Sequence, residues 1–209
     1  MSGGIANAAT DSCTWVSFVT PLFSFVLGFV TAVFSEPLRR WLFRPVLRLS
    51  FEKNDTCVAH TPVQNGGKEH EAYYIRLKVE NTTRPLAKAC RAFLIGVEEQ
   101  GKNGVWIPTI YADSLPLAWS CQERREARKP LDLPFGVAQF VDVVATDSLF
   151  NNYFVQVAPL PFRYHTLFEI KPKTFRFTVL VAGDGVNPET KQIVFGWKGV
   201  WNDFEVSKA

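Results

Sequence analysis

The sequence predicts a mainly β fold: an N-terminal transmembrane helix followed by an antiparallel β-sandwich. Three observations carry this. Residues 14–34 (TWVSFVTPLFSFVLGFVTAVF) are an apolar run of 21 residues without a charge. After Pro45 the spacing of apolar residues changes from helical to alternating. The alternating segments are short and separated by Gly, Pro and Asn turns, as expected of antiparallel sheets packed face to face. The division that follows is a tail at 1–13, a transmembrane helix at 14–35, a basic juxtamembrane segment at 36–45, a β-sandwich domain at 46–206 and a tail at 207–209.

The apolar run is long enough to span. At about 1.5 Å per residue it matches a hydrocarbon layer of about 30 Å. Trp15 and Trp41 fall at or beyond its two ends, where interfacial aromatics are common. Pro21 and Gly28 would weaken a soluble helix but are tolerated in lipid. A cleaved signal peptide needs a basic stretch before the run and a small-residue cleavage site after it. Here only Asp11 precedes the run, and Glu36-Pro37-Leu38-Arg39-Arg40 follows it. The expectation is an uncleaved span.

Its flanks set the orientation. All 23 basic residues lie after Phe34, with 19 of the 20 acidic ones, a net of +4. The positive-inside rule places the N-terminus outside and the domain in the cytoplasm, and the expected location is the cell inner membrane. Arg39, Arg40 and Arg44 belong to a basic, apolar segment expected in the headgroup region, with its arginines on lipid phosphates. Within the helix, Ser17, Pro21, Ser24, Gly28, Thr31 and Ser35 recur at spacings of four and three. Such a seam of small residues lets helix backbones approach and predicts a homo-oligomer through the transmembrane helix.

The domain is read strand by strand. Residues 46–51 form the first. Residues 72–80 put Tyr73, Ile75, Leu77 and Val79 on one face and Tyr74, Arg76, Lys78 and Glu80 on the other. Residues 89–98 alternate with Cys90, Ala92, Leu94 and Gly96 on one side. Residues 105–107 and 153–157 are shorter candidates. Residues 137–146 (VAQFVDVVAT) read as a strand or a short helix. Residues 175–181 alternate most cleanly and turn through 183–190 into a last strand at 192–206.

A resemblance enters at residues 74–98 (YIRLKVENTTRPLAKACRAFLIGVE). A strand leads into Val79-x-Asn81, a short polar turn, Ala87-x-x-Cys90 and a second apolar strand. This resembles bacterial Ig-like sandwiches related to the cell-adhesion-related, CARDB-like domain, although Thr83 stands where that family usually has Gly. The segment Leu117-x-Trp119-Ser120, the turn Leu133-Pro134-x-Gly136 and the closing Trp-rich strand also look like small bacterial membrane-anchored proteins. The resemblance implies an Ig-like sandwich that binds or scaffolds without catalysis, and it implies no site residues.

The residues that could carry chemistry are sparse. Cys13, Cys57, Cys90 and Cys121 lack a C-x-x-C pair, and the last three are expected reduced and buried. Cys57 and His60 are half of a metal site without a second half, so no metal is expected. His70, in the polar run 68–71, is expected to be solvated. No nucleophile elbow, P-loop or G-x-G-x-x-G is present, and the expectation is no catalytic residue and no cofactor. Gly183-Asp-Gly185 is read as a hairpin turn rather than a calcium loop. The run 123–129 alternates in sign and is read as a solvated loop. Trp197 and Trp201, four apart, are read as sharing a buried strand face. Asn54 and Asn81 head formal N-glycosylation sequons. The charge is too small for nucleic acid.

Two functions follow. The first is a membrane-anchored, non-catalytic β-sandwich module for protein interaction or scaffolding at the inner face of the membrane, with the bilayer and an unknown protein as partners. The alternative is an oligomerising membrane effector with a ligand-sensing β-domain, laid out as in bacterial defence systems.

Overall fold

The computed structural model describes residues 25, 28, 29, 31, 32, 35, 44–65, 68–122, 126, 128–157, 160–165, 167, 168 and 171–209. The chain divides into two units, Met1–Phe43 and Arg44–Ala209. In the first, the six described residues are helical and exposed. The Thr31 hydroxyl donates to the Gly28 carbonyl at 3.0 Å, and the Ser35 hydroxyl to the Ala32 carbonyl at 3.4 Å. Most of the expected span at 14–34 lies outside the described residues. Among the described residues no helix is long and apolar enough to cross a membrane.

The second unit is mainly β, two antiparallel sheets with one shared core. Its elements are β1 (Leu47–Ser50), β2 (Val58–Asn65), β3 (Lys68–Asn81), β4 (Ala87–Gln100), β5 (Trp106–Pro108), β6 (Leu115–Pro116), β7 (Ala118–Trp119), β8 (Leu131–Leu133), β9 (Ala138–Asp147), β10 (Asn152–Val155), a 3-10 turn (Phe162–Tyr164), β11 (Lys173–Asp184), β12 (Glu189–Val200) and β13 (Asp203–Lys208). The first sheet runs β1-β3-β9-β10, with β2 also on β3 and β7 also on β9. The second runs β13-β12-β11-β4-β5, with β6 and β8 also on β4. All these strand pairings are antiparallel.

The alternating segments become the strands that build the core. Ile75, Leu77 and Val79 on β3 face Phe175, Phe177, Val179 and Val181 on β11 within one apolar cluster, all fully buried. Burying such side chains contributes about 1.5–3 kcal/mol each. The segment 137–146 is β9, a strand. It lies between β3 on one edge and β7 and β10 on the other, and every residue from Val141 to Thr146 is buried. Burial on both faces removes the alternation that distinguishes a strand from a helix.

Three expectations are corrected. On β4 the inward residue is Val97 and not Gly96, because a bulge between the pairs Thr178↔Gly96 and Val179↔Leu94 inserts Ile95 and shifts the faces. The single strand expected at 192–206 is two, β12 and β13, folded back through a turn at Trp201 and Asn202. Trp201 therefore sits in that turn, stacked on Tyr73 at the rim, while Trp197 alone is in the core. The hairpin reading of the two glycines holds for Gly185, whose φ is +68°. Gly183 opens the same turn, its carbonyl accepting the Val186 N–H at 3.2 Å, and also permits a close approach, since a Cβ there would lie 2.7 Å from the Lys88 carbonyl.

The crossover from the first sheet to the second is held by one side chain. Asn81 ends β3 and is fully buried. Its amide nitrogen donates to the Pro85 carbonyl at 2.7 Å and the Leu133 carbonyl at 3.0 Å. Its amide oxygen accepts from the Thr83 N–H at 3.1 Å and from the Thr83 hydroxyl at 3.2 Å. We expect Asn81→Ala to lower the unfolding free energy by about 3 kcal/mol, since a buried carbonyl, a half-buried one and an N–H lose their partner together. Arg84→Ala, exposed in the same turn, is expected to stay within about 0.5 kcal/mol. Urea titrations of both variants check this.

Candidate functional site

A cleft opens on the outer face of the first sheet, around β10 at its edge. Alternation sends Ile75, Leu77 and Val79 inward and therefore His70, Ala72 and Tyr74 outward along β3. Beside them on β9 are Ala145, paired with Tyr74, and Asp147, paired with Ala72. Asn152 and Phe154 continue this face on β10. With Arg128 and the segment carrying Leu160, His165 and Phe168, they enclose a cleft of about 610 Å³. Small-ligand pockets commonly measure about 300–1,000 Å³.

His70 organises one wall. It stands diagonally across the sheet from Asp147, with Nε2 3.2 Å from Oδ2. The other carboxylate oxygen of Asp147 accepts the Leu149 N–H at 2.7 Å, in the turn that reverses β9 into β10. That bond fixes the carboxylate against the imidazole. His70 is only 8% exposed, which overturns the expectation of a solvated histidine. Its cover comes from the β9–β10 hairpin and from residues far along the chain, neither of which a local polar run reveals.

Two polar atoms of residues that line this cleft are buried without a hydrogen-bond partner, His70 Nδ1 and Arg128 Nε, and so is the Tyr153 hydroxyl, on a side chain that β10 turns inward among Phe175, Phe195 and Trp197. Such atoms cost roughly 1–3 kcal/mol each. Native folds retain few of them. Burial pushes the Tyr153 phenol up, so it stays a neutral donor and acceptor. Asp142 lies further along the same outer face. Burial pushes its carboxyl up, against the pull of Arg76, whose Nε is 2.7 Å away. Phe150 and Phe154 are exposed at the cleft.

The cysteines do not enter this site. Cys57 and Cys90 are free and buried, and burial pushes the Cys90 thiol up to about 11. Cys121 is free but exposed, correcting the expectation that it is buried. It sits in the turn after the two-residue β7, where the chain leaves the core. Among the described residues no group of three or more His, Cys, Asp or Glu side chains could hold a metal ion. Cys57 is in the core while His60 stacks on Tyr73 at the rim. In the run 123–129, Glu126 pairs with Lys129, Arg128 turns into the cleft, and residues 123–125 and 127 lie outside the described residues.

Of the residues singled out for the membrane, Ser17, Pro21, Ser24, Arg39 and Arg40 lie outside the described residues. Gly28, Thr31 and Ser35 are helical and exposed. Arg44 is exposed, with Nη1 3.4 Å from Asn187 Oδ1. Arg44 is not among the residues that line the cleft. The cleft residues carried no motif; their signal was the pairing of a histidine with an acidic residue 77 positions away. No protein-family model matches the chain, and no curated protein matches it either.

A stability measurement tests the unpartnered atoms. Tyr153→Phe removes a hydroxyl with no partner and keeps the ring among Phe175, Phe195 and Trp197. The variant is expected to be as stable as the parent or about 1 kcal/mol more so. A loss of that size in chemical denaturation would mean that the hydroxyl is engaged.

Proposed function

We propose that the protein is a membrane-tethered, non-catalytic recognition module: a single-pass chain with its N-terminus outside, holding an Ig-like sandwich at the inner face of the membrane. The sandwich recognises its partner through the His70 cleft. The observation that carries this reading is that His70 and Arg128, from distant parts of the chain, line one cleft and each has a buried polar atom without a hydrogen-bond partner. Such a group is open to a hydrogen bond from a partner. Arg128 Nε–H donates, His70 complements an oxygen-rich group, and Phe150 and Phe154 offer apolar contact. The matching partner feature is a carboxylate or phosphate next to an apolar or aromatic group. The tether raises the local concentration of such a partner without new contacts.

Titration calorimetry on the purified full chain tests the reading with inorganic phosphate, benzoate and an N-acetyl-Asp-Phe-amide peptide as probes. One of them is expected to bind. Arg128→Gln should weaken it at least about 10-fold, since hydrogen bonds to charged groups contribute about 1.5–3 kcal/mol. The peptide arm marks a protein partner, the others a free anion. Equal binding by Arg128→Gln, or none by the parent, sinks the proposal. The same cleft also favours the ligand-sensing effector. That reading requires the helix to self-associate, and Gly28→Leu should then weaken association in a membrane assay.

A further inference from the structure

The Asn81 crossover gathers an apolar surface that the cleft does not use. Val46, Leu86, Phe135 and Val137 are each between 39% and 56% exposed. They come from three separated parts of the chain and meet because Asn81 joins them. The Val46 carbonyl accepts from Thr82 N–H at 2.9 Å, and the Val46 N–H donates to Thr83 Oγ1 at 2.9 Å. Asn81 bridges to Phe135 in parallel register, and Gly136 N–H donates to the Asn81 carbonyl at 2.9 Å. Leu86 follows Pro85, whose carbonyl Asn81 also holds. Arg44 and Arg84 are exposed beside this surface.

The domain also receives its preceding chain here. Pro45 is buried and Val46 is bonded on both sides, so the chain is fixed to the sandwich from this point onward. Only residues 35–44 separate it from the end of the apolar run at Phe34. Ten residues reach at most about 36 Å. Two of the residues in that connection are Arg39 and Arg40.

We propose that this end of the sandwich docks on the anionic leaflet of the bilayer, with Phe135, Leu86, Val46 and Val137 entering the headgroup and acyl boundary and the arginines facing lipid phosphates. The proposal rests on the tether reading above. A short connection that enters through the middle of an apolar surface brings that surface to the membrane, where burial removes it from water. The basic residues add an attraction that salt screens.

Depth-dependent quenching tests this on the full chain in nanodiscs containing anionic lipid. In a Cys13→Ser, Cys121→Ser background, Phe135→Cys or Val105→Cys carries a fluorescent label, and brominated lipids quench it. Val105 is exposed near the far end of β4 from Leu86. At about 3.3 Å per residue, the 14 residues of β4 hold it clear of the surface. The label at position 135 should be quenched at least twofold more than at 105, and more weakly in neutral lipid. Equal quenching in chain that resists carbonate extraction overturns the docking and leaves the tether standing. Release of the chain by carbonate overturns the tether and the docking with it. If the double variant Leu86→Ser, Phe135→Ser dissociates an oligomer while the 135 label is unquenched, a second copy covers this surface and the proposal is wrong.

Discussion

Everything at one end of the sandwich depends on the hydrogen bonds of the Asn81 side chain. A buried amide with all its bonds made is stabilising and specific; the same amide with one partner missing is a liability. Asn81 fixes Pro85 before β4 and Leu133 in β8, and through Thr83 it orients the residue that holds Val46. The first strand of one sheet, the entry to the second and a short strand over its edge are thereby set against one another. At the other end, Asn151 plays a similar part. Its nitrogen donates to the Gly199 carbonyl at 3.3 Å and its oxygen accepts from Trp201 N–H at 2.9 Å, joining the β9–β10 hairpin to the β12–β13 turn.

Between these ends the sheets are held by apolar packing, and their outer faces by charge pairs. Arg176 makes two hydrogen bonds to Glu98, at 2.6 and 2.7 Å, and lies over the Trp106 ring. The bond to Arg176 holds the Glu98 carboxyl below its usual range. Such paired outer faces contrast with the His70 wall, where the polar groups outnumber their partners. That contrast distinguishes a surface completed by its own side chains from one left open to a partner.

The fold was legible where one face is buried and the other wet. β3 and β11 announced themselves by alternation, and the inward residues of β3 are those the pattern named. β2 was not legible: it carries His60, Thr61 and Pro62, and Pro62 is tolerated because β2 pairs only with β3. β6, β7 and β8 have two or three residues each, too few for a period. The bulge at Ile95 was invisible because it depends on how β4 meets β11. The candidate site was the least legible part. The burial of His70 and the turn of Arg128 inward arise from contacts between distant segments, and Asp147 reads locally as a turn residue, which it also is.

β3 connects the two surfaces of this domain mechanically. His70 lies near its start and Asn81 at its end, about 36 Å apart at strand rise. Whatever occupies the His70 wall is therefore held a strand's length from the point where the preceding chain enters. If tension develops between an occupant and that chain, it runs along β3 and returns through β1, which is antiparallel to β3 over four residue pairs and is extended by the bonds of Val46. The two strands are then drawn past each other, and their perpendicular hydrogen bonds share the load together instead of opening one at a time. The short first strand is thus a shear-loaded clasp, and the side chain of Asn81, through Thr83, secures its loaded end.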